Sequence, residues 1–263
     1  MVKKFFALLL TVLLLGTFLV GCSTADEPLQ DADTDEVVGS DVSNGDSVGT
    51  DVNDGADVND GGATSSYVDE AYAAQIERYY VALSEKWDEG KYFENGMSAL
   101  PYYYYEGNPL ENVGFGYIDL DNDGQQELVI GAIQNSDKDP AVFEIWTLVD
   151  GKPVMLAQGG SRNRYVLQYV EEDGMWYVAN EGSNSAANHV TYYFMLNEGK
   201  FEVVQGVLFD ATADAQNPWF LTYDTDWDVS NDMPIDEATA NAILDSNRVH
   251  YIAAEYYPYS YYR

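Results

Sequence analysis

Near the start of region 67–263, apolar residues recur at steps of three and four: Tyr72, Ile76, Tyr79, Tyr80, Leu83 and Trp87. This spacing is typical of the buried face of an α-helix. Asp69 and Glu70 stand where a helix start favours acids, and Gly90 stands where a helix end favours glycine. The pattern therefore predicts a helix at the beginning of this region.

After residue 112 the rhythm changes to short runs of β-branched and aromatic residues divided by turn residues. The predicted strands are 113–118, 128–133, 142–149, 154–157, 165–170, 175–179, 189–196, 201–209 and 219–223. Turn sequences such as Asp150-Gly151 indicate hairpins between successive strands. A later helix is predicted at 237–247, with Asp236 as its N-cap. Region 67–263 is thus predicted to be a single α+β domain, an antiparallel β meander with an N-terminal helix and a short C-terminal helix.

Lys3 and Lys4 precede an apolar run over residues 5–20, which is the pattern of a secretory signal. The run is short for a helix that must cross about 30 Å of hydrocarbon. Leu19-Val20-Gly21-Cys22 resembles the lipobox of bacterial lipoproteins. That resemblance implies a signal peptide at 1–21, a diacylglyceryl lipid on Cys22 and attachment to the extracytoplasmic face of the cell membrane. An ordinary signal peptide and an uncleaved anchor helix are the alternatives, and the absence of any other cysteine favours lipidation.

Residues 23–66 hold twelve of the 45 acidic residues, no Lys or Arg, and no aromatic residue. Such a composition buries too little apolar surface to offset the entropy of ordering. We therefore expect residues 22–66 to be a lipidated cysteine followed by a flexible acidic linker. A calcium-binding repeat is the alternative, because Val-Asn-Asp-Gly occurs at 52–55 and again at 58–61, but two short copies without apolar strand residues disfavour it.

Region 67–263 keeps 33 acidic residues against 10 basic ones. Nucleic-acid binding requires basic surface that replaces counterions, so this class of function is excluded. Without a second cysteine the domain has no disulfide, and two histidines are too few for a His-rich zinc site. The domain must therefore be stabilised by core packing or by a metal ion. Its excess of carboxylates is suited to a hard cation.

The loop between the first two predicted strands concentrates acids in an ordered spacing. Carboxylates occupy its positions one, three, five and nine, and glycine occupies position six: Asp119, Asp121, Asp123, Glu127 and Gly124. Calcium takes six to eight oxygen ligands and tolerates irregular geometry. Carboxylates about 4 to 5 Å apart repel by about 1 kcal/mol per pair in water, and a bound divalent ion reverses that sign.

An EF-hand is excluded because its twelfth position would be Ile130 and both flanks are predicted strands. The loop instead resembles the Asp-x-Asp-x-Asp-Gly-x-x-Asp hairpin of integrin-type (FG-GAP) repeats. That resemblance implies calcium ligands at Asp119, Asp121, Asp123, the carbonyl of Gln125, and Glu127, with Glu replacing Asp at position nine. One copy implies a metal loop and not a propeller. The segment 116–131 also looks like one found in uncharacterised lipoproteins of gut-type bacteria. A solvated turn without an ion is the alternative, and magnesium fits less well than calcium.

The chain is rich in aromatic residues, with 22 tyrosines and 5 tryptophans. Exposed rings bind sugars and protein partners, and the candidates for such a surface are Tyr103, Tyr105, Trp219 and Trp227. The alternative is that these rings fill the core. Together these features predict a non-enzymatic, membrane-anchored extracellular lipoprotein with a structural calcium site, which binds a polysaccharide or a protein or serves as an accessory module. The alternative is a secreted hydrolase acting on cell-wall or dietary glycan, although no carboxylate pair or nucleophile elbow stands out.

Overall fold

The structure is a computed structural model that describes residues 67–133 and 141–263. The predicted signal peptide at 1–21, the lipidation site Cys22 and the linker at 22–66 lie outside the described residues. Within the described part of the chain, no helix is long and apolar enough to cross a membrane.

The described residues form α-helices, strands and several 3-10 turns. The helices are α1 (Ala73–Ser84), α2 (Glu89–Glu94), α3 (Pro109–Asn112) and α4 (Glu237–Arg248). The strands are β1 (Val113–Ile118), β2 (Glu127–Ala132), β3 (Val142–Val149), β4 (Lys152–Gln158), β5 (Asn163–Val170), β6 (Met175–Ser185), β7 (Asn188–Asn197), β8 (Lys200–Asp210), β9 (Trp219–Thr222), β10 (Met233–Pro234), β11 (Tyr251–Ile252) and β12 (Tyr257–Pro258).

The strands form one antiparallel sheet in the order β10-β9-β8-β7-β6-β5-β3-β2-β1-β12. Among the described residues, β4 pairs only with β3, and β11 pairs only with β5. The predicted α+β class and the antiparallel meander are therefore confirmed, as are the two flanking helices. The two-residue strands β10, β11 and β12 were not predicted, because so few residues show no alternation.

The first helix differs from its prediction. Asp69 accepts a hydrogen bond from the backbone N–H of Ala71 and begins a 3-10 turn that leads into α1. The helix ends at Ser84 because Lys86 takes a left-handed φ of 49°. Asp88 then accepts from the N–H of Lys91 and begins α2. The predicted helix stop at glycine 90 is therefore wrong, since that residue lies within α2.

Helical segments and the C-terminus cover one face of β1–β3. Their shared core is rich in tyrosine, and its largest fully buried rings are Tyr72, Tyr79, Tyr92, Tyr259, Phe115 and Phe143. The other face of β2 and β3 packs with β5–β9 in a second cluster that includes Val129, Ile145 and Leu208. Consecutive residues of β2 therefore enter opposite cores, and β2 is buried along its whole length. The loop that follows β1 thus leads directly into a fully buried strand, β2.

Small residues on β1 let the C-terminal segment approach closely. A Cβ atom at Gly116 would lie 2.3 Å from the backbone oxygen of Glu255, and one at Gly114 would lie 2.9 Å from that of Tyr257. Glycine therefore permits β12 to pair with β1 at the edge of the sheet.

Candidate metal centre in the β1–β2 loop

The acidic loop is a hairpin connection with a fixed register. Ile118 pairs with Glu127, so the intervening residues must turn between two directly paired positions. Leu120 is buried and anchors the loop to the core. Asn122 and Gly124 take left-handed φ values of 59° and 91°. Glycine adopts this conformation at no steric cost, as the sequence predicted for position six.

Hydrogen bonds inside the loop curl the chain around its acids. The carboxylate of Asp119 accepts from the backbone N–H of Asp123 at 3.1 Å and from that of Gly124 at 2.9 Å. The carboxylate of Asp123 accepts from the N–H of Gln125 at 2.7 Å. The side chain of Asn122 reaches outward to the carbonyl of Gly174 at 3.3 Å. These bonds hold the loop between β1 and the β5–β6 turn.

Glu127, at position nine, is the first residue of β2 and is 1% exposed. Its Oε2 accepts a hydrogen bond from the backbone N–H of Leu120, and its Oε1 accepts one from the hydroxyl of Thr147, both at 2.9 Å. Burial raises the pKa of Glu127 to about 6, although these two hydrogen bonds oppose the shift. A buried carboxylate with so few donors gains from a cation.

Three of the predicted ligand residues converge. One ligand atom each from Asp119, Asp121 and Glu127 lies within 4.8 Å of the others. The Oδ1 atom of Asp121 is buried and accepts no hydrogen bond. Burial raises the pKa of Asp121, and the neighbouring charges of Asp123 and Asp119 raise it further. An oxygen-only cluster with an unsatisfied buried acceptor is chemically suited to a hard cation.

The other two predicted ligands lie differently. Asp123 is exposed, and its carboxylate is not part of the three-residue group. The side-chain amide of Gln125 is bonded to β3: its Nε2 donates to Thr147 Oγ1 at 3.3 Å and to the carbonyl of Leu148 at 3.1 Å. A ligand role for Asp123 and for the backbone carbonyl of Gln125 stays a prediction.

A second hairpin carries acids at the same four positions, which the sequence analysis did not single out. It joins β9 to β10 and contains Asp224, Asp226, Asp228 and Asp232. Its first three carboxylates each accept a hydrogen bond from the backbone N–H two residues onward. Across residues 67–133 and 141–263, only the first hairpin brings three such side chains within ligand distance of one another. The spacing alone therefore does not assemble a site.

The four candidate ligand-binding aromatics lie in different surroundings. Tyr103 is 59% exposed and donates a hydrogen bond to Glu89. Tyr105 packs against the helical core, where its hydroxyl pairs with that of Tyr92 at 2.8 Å. The remaining two are partly buried: Trp219 packs edge-on against Phe209, and Trp227 packs against the second cluster. Their role in binding a polysaccharide or protein stays a prediction.

An open cavity of about 280 Å³ lies where the β5–β6 turn meets the segment after α4. It is lined by Tyr169, Glu171, Glu172, Val249, His250, Tyr251 and Ile252. Glycoside hydrolysis uses two carboxyl groups that flank the scissile bond. The two glutamates here are sequence neighbours in one exposed turn. They do not oppose each other across a cleft, so this cavity gives the hydrolase alternative no support.

Comparisons of the chain with family models, with curated proteins and with solved structures find no match. The resemblances to the lipobox and to the integrin-type loop therefore rest on the sequence motifs alone and stay predictions.

Proposed function

We propose that this protein is an extracytoplasmic lipoprotein, held to the membrane by lipid on Cys22, whose α+β domain binds one structural calcium ion in the β1–β2 loop. The acidic segment 22–66 would serve as the tether. The domain would act without catalysis, as a module that binds a polysaccharide or a protein or that assists another protein.

The observation that carries the metal proposal is the unsatisfied Oδ1 of Asp121 beside two further carboxylates. Its neighbours are Asp119 and Glu127, and their ligand atoms lie within 4.8 Å. Like charges at this separation repel by about 1 kcal/mol per pair even in water, and more where they are buried. A divalent cation turns each repulsion into an attraction and supplies the missing partner.

Calcium fits this cluster better than other common ions. The donors are all oxygens, whereas zinc and copper favour sites with imidazole or thiolate. Magnesium demands near-ideal octahedral geometry and retains more water, and calcium accepts irregular sets of six to eight oxygens. Calcium sites in extracellular modules have dissociation constants of about 10⁻⁴–10⁻³ M, which suits an exported protein.

The position of the loop favours a structural role for the ion. Glu127 begins a strand that is buried along its length, and Asp119 directly follows its partner strand. An ion between these residues would tie the two strand ends to the loop. The ion is therefore proposed to stabilise the domain and not to activate a substrate.

Thermal unfolding of the purified full chain tests the metal proposal. Calcium should raise the melting temperature, magnesium should raise it less, and Asp121→Ala should abolish the rise. Asp228→Ala is the matched control, because it removes one acid from the hairpin of identical spacing and should leave the calcium response intact. Identical melts of the wild type in calcium and in chelator would refute the proposal.

A separate experiment tests the membrane anchor. The wild-type chain, expressed with its own first 22 residues, should partition into the detergent phase and incorporate labelled fatty acid. Cys22→Ala should incorporate no labelled fatty acid. Equal partition and labelling of the two proteins would exclude lipid on Cys22.

A further inference from the structure

A threonine on the neighbouring strand contacts the candidate metal centre. Thr147 lies on β3, is 1% exposed, and donates its hydroxyl hydrogen to Glu127 Oε1 at 2.9 Å. The strands β3 and β2 are direct neighbours, with Leu128 paired to Trp146. The backbone of Thr147 is therefore placed by the pairing of β2 with β3 and not by the loop.

The direction of the hydrogen bond between Thr147 and Glu127 follows from the other partner of the Thr147 hydroxyl. An amide nitrogen can only donate, and the two hydrogens of Gln125 Nε2 are directed to the carbonyl of Leu148 and to Thr147 Oγ1. A hydroxyl that accepts from an amide must offer its single hydrogen elsewhere. For Thr147 that acceptor is the carboxylate of Glu127. The relay thus runs from Gln125 through Thr147 to Glu127.

We propose that Thr147 is a positioning residue for the metal centre: it holds the Glu127 carboxylate in the orientation that binds the cation, and the side chain of Gln125 orients the Thr147 hydroxyl. This inference rests on the proposed calcium site. It assigns the side chain of Gln125 a task separate from the ligand role predicted for its backbone carbonyl.

Positioning matters here because Glu127 has a longer side chain than an aspartate at the same position. Each of its oxygens accepts one hydrogen bond, from Leu120 or from Thr147, and each keeps lone-pair capacity for a cation. Groups that orient metal ligands in this way typically change metal affinity by about 10- to 100-fold when they are removed. Since Thr147 is buried, water does not replace its hydroxyl without a rearrangement of the sheet.

Calcium titration calorimetry of the full chain tests the inference with two substitutions at one position. Thr147→Val keeps the shape and removes the hydroxyl, and it should weaken calcium binding by about 10-fold or more. Thr147→Ser keeps the hydroxyl and should bind within about threefold of the wild type. Circular dichroism establishes that each variant is folded at the titration temperature. A folded Thr147→Val protein that binds calcium as tightly as the wild type would overturn the inference.

The partly exposed Gln125 supplies a second variant with little risk to folding. Gln125→Ala keeps the backbone carbonyl but lets the hydroxyl of Thr147 rotate, so it should weaken binding by about threefold to 10-fold. In the double variant, Gln125→Ala should add no further weakening to Thr147→Val, because both act through one hydroxyl. Fully additive losses, or no loss from Gln125→Ala, would contradict the relay.

These outcomes separate the inference from the proposed function. If the wild type takes up no calcium, both the metal proposal and the positioning role fail. If the wild type binds calcium, Asp121→Ala does not, and Thr147→Val binds normally, only the positioning role fails. A purely structural role for Thr147 would lower the melting temperature in metal-stripped buffer and leave the dissociation constant unchanged.

Discussion

Replacing Asp121 with asparagine should stabilise the protein when metal is absent. The ligand atoms of Asp119 and Glu127 lie within 4.8 Å of that of Asp121. Each pair of charges at this distance repels by about 1 kcal/mol in water and by about 3.5 kcal/mol at an effective dielectric near 20. Because Asp119 and Asp121 are partly exposed, the lower value applies. Asparagine has the same size, and at the unpartnered Oδ1 no hydrogen bond is lost. The free energy of unfolding should therefore rise by about 2 kcal/mol.

Calcium should narrow that gap, because the wild type keeps the charge of Asp121 and should bind the ion more tightly than Asp121→Asn. With a dissociation constant of about 10⁻⁴–10⁻³ M, calcium at about 10 mM adds about 1.4–2.7 kcal/mol to the wild type. For a domain of this size each kcal/mol corresponds to about 2–4 °C. In metal-stripped buffer, Asp121→Asn should thus melt about 4–8 °C above the wild type.

Scanning calorimetry of the wild type, Asp121→Asn and Asp228→Asn with and without calcium measures both effects. Asp228 lies in the other acidic hairpin, is exposed and accepts a hydrogen bond from Ser230, so its replacement should give no gain without metal and should keep the calcium response. A melting temperature of Asp121→Asn below that of the wild type in metal-stripped buffer would refute the electrostatic reasoning.

Three further predictions concern the core, the pH dependence and the C-terminal segment. Glu144→Ala leaves the buried N–H groups of Ser98 and the Trp146 indole without an acceptor. The free energy of unfolding measured in urea should therefore fall by about 2 kcal/mol or more, and an unchanged urea midpoint would contradict this. Burial raises the pKa of Glu127 from 4.5 to about 6 in the metal-free protein, so its ionised form destabilises the fold progressively from pH 4.5 to 6 and fully above. Relative to Glu127→Gln, the wild type should therefore lose melting temperature between pH 4.5 and 7 in metal-stripped buffer, and a constant difference would disprove the shift. Gly116→Ala places a Cβ 2.3 Å from the backbone oxygen of Glu255 and should lower the free energy of unfolding by about 1–3 kcal/mol, measured by thermal melts. The control Gly160→Ala places a Cβ with no atom within 4 Å and should lower it less. Equal losses in the two variants would count against close packing at β1.

The hydrophobic pattern predicted the meander because most strands are bounded by clear turn residues. The bounds of β1 and β3 agree with the prediction, and β6 extends six residues beyond it, to Ser185. The polar segment after residue 179 reads as a loop, but it pairs with β5 and β7. The break at Lys86 was not predicted either, because the apolar spacing continues through Trp87 while the backbone turns. In β6 a contact distant in sequence overrides the local pattern, whereas at Lys86 a local left-handed turn ends the helix.

The candidate metal centre was predictable only in part. The spacing of acids pointed to Asp119, Asp121 and Glu127, yet the same spacing at 224–232 forms no comparable cluster. Position nine differs between them: Glu127 begins a fully buried central strand, and Asp232 precedes a two-residue edge strand. The contribution of Thr147 depends on the pairing of β2 with β3, twenty residues away in sequence, and no local pattern reveals it.

A crystal structure of the protein grown in millimolar calcium tests the central claim most directly. We predict anomalous density for one calcium ion between Asp119, Asp121 and Glu127, at about 2.3–2.6 Å from their oxygens, with Thr147 donating to the Glu127 carboxylate. Carboxylates that surround only water, or that turn outward into solvent, would contradict the account.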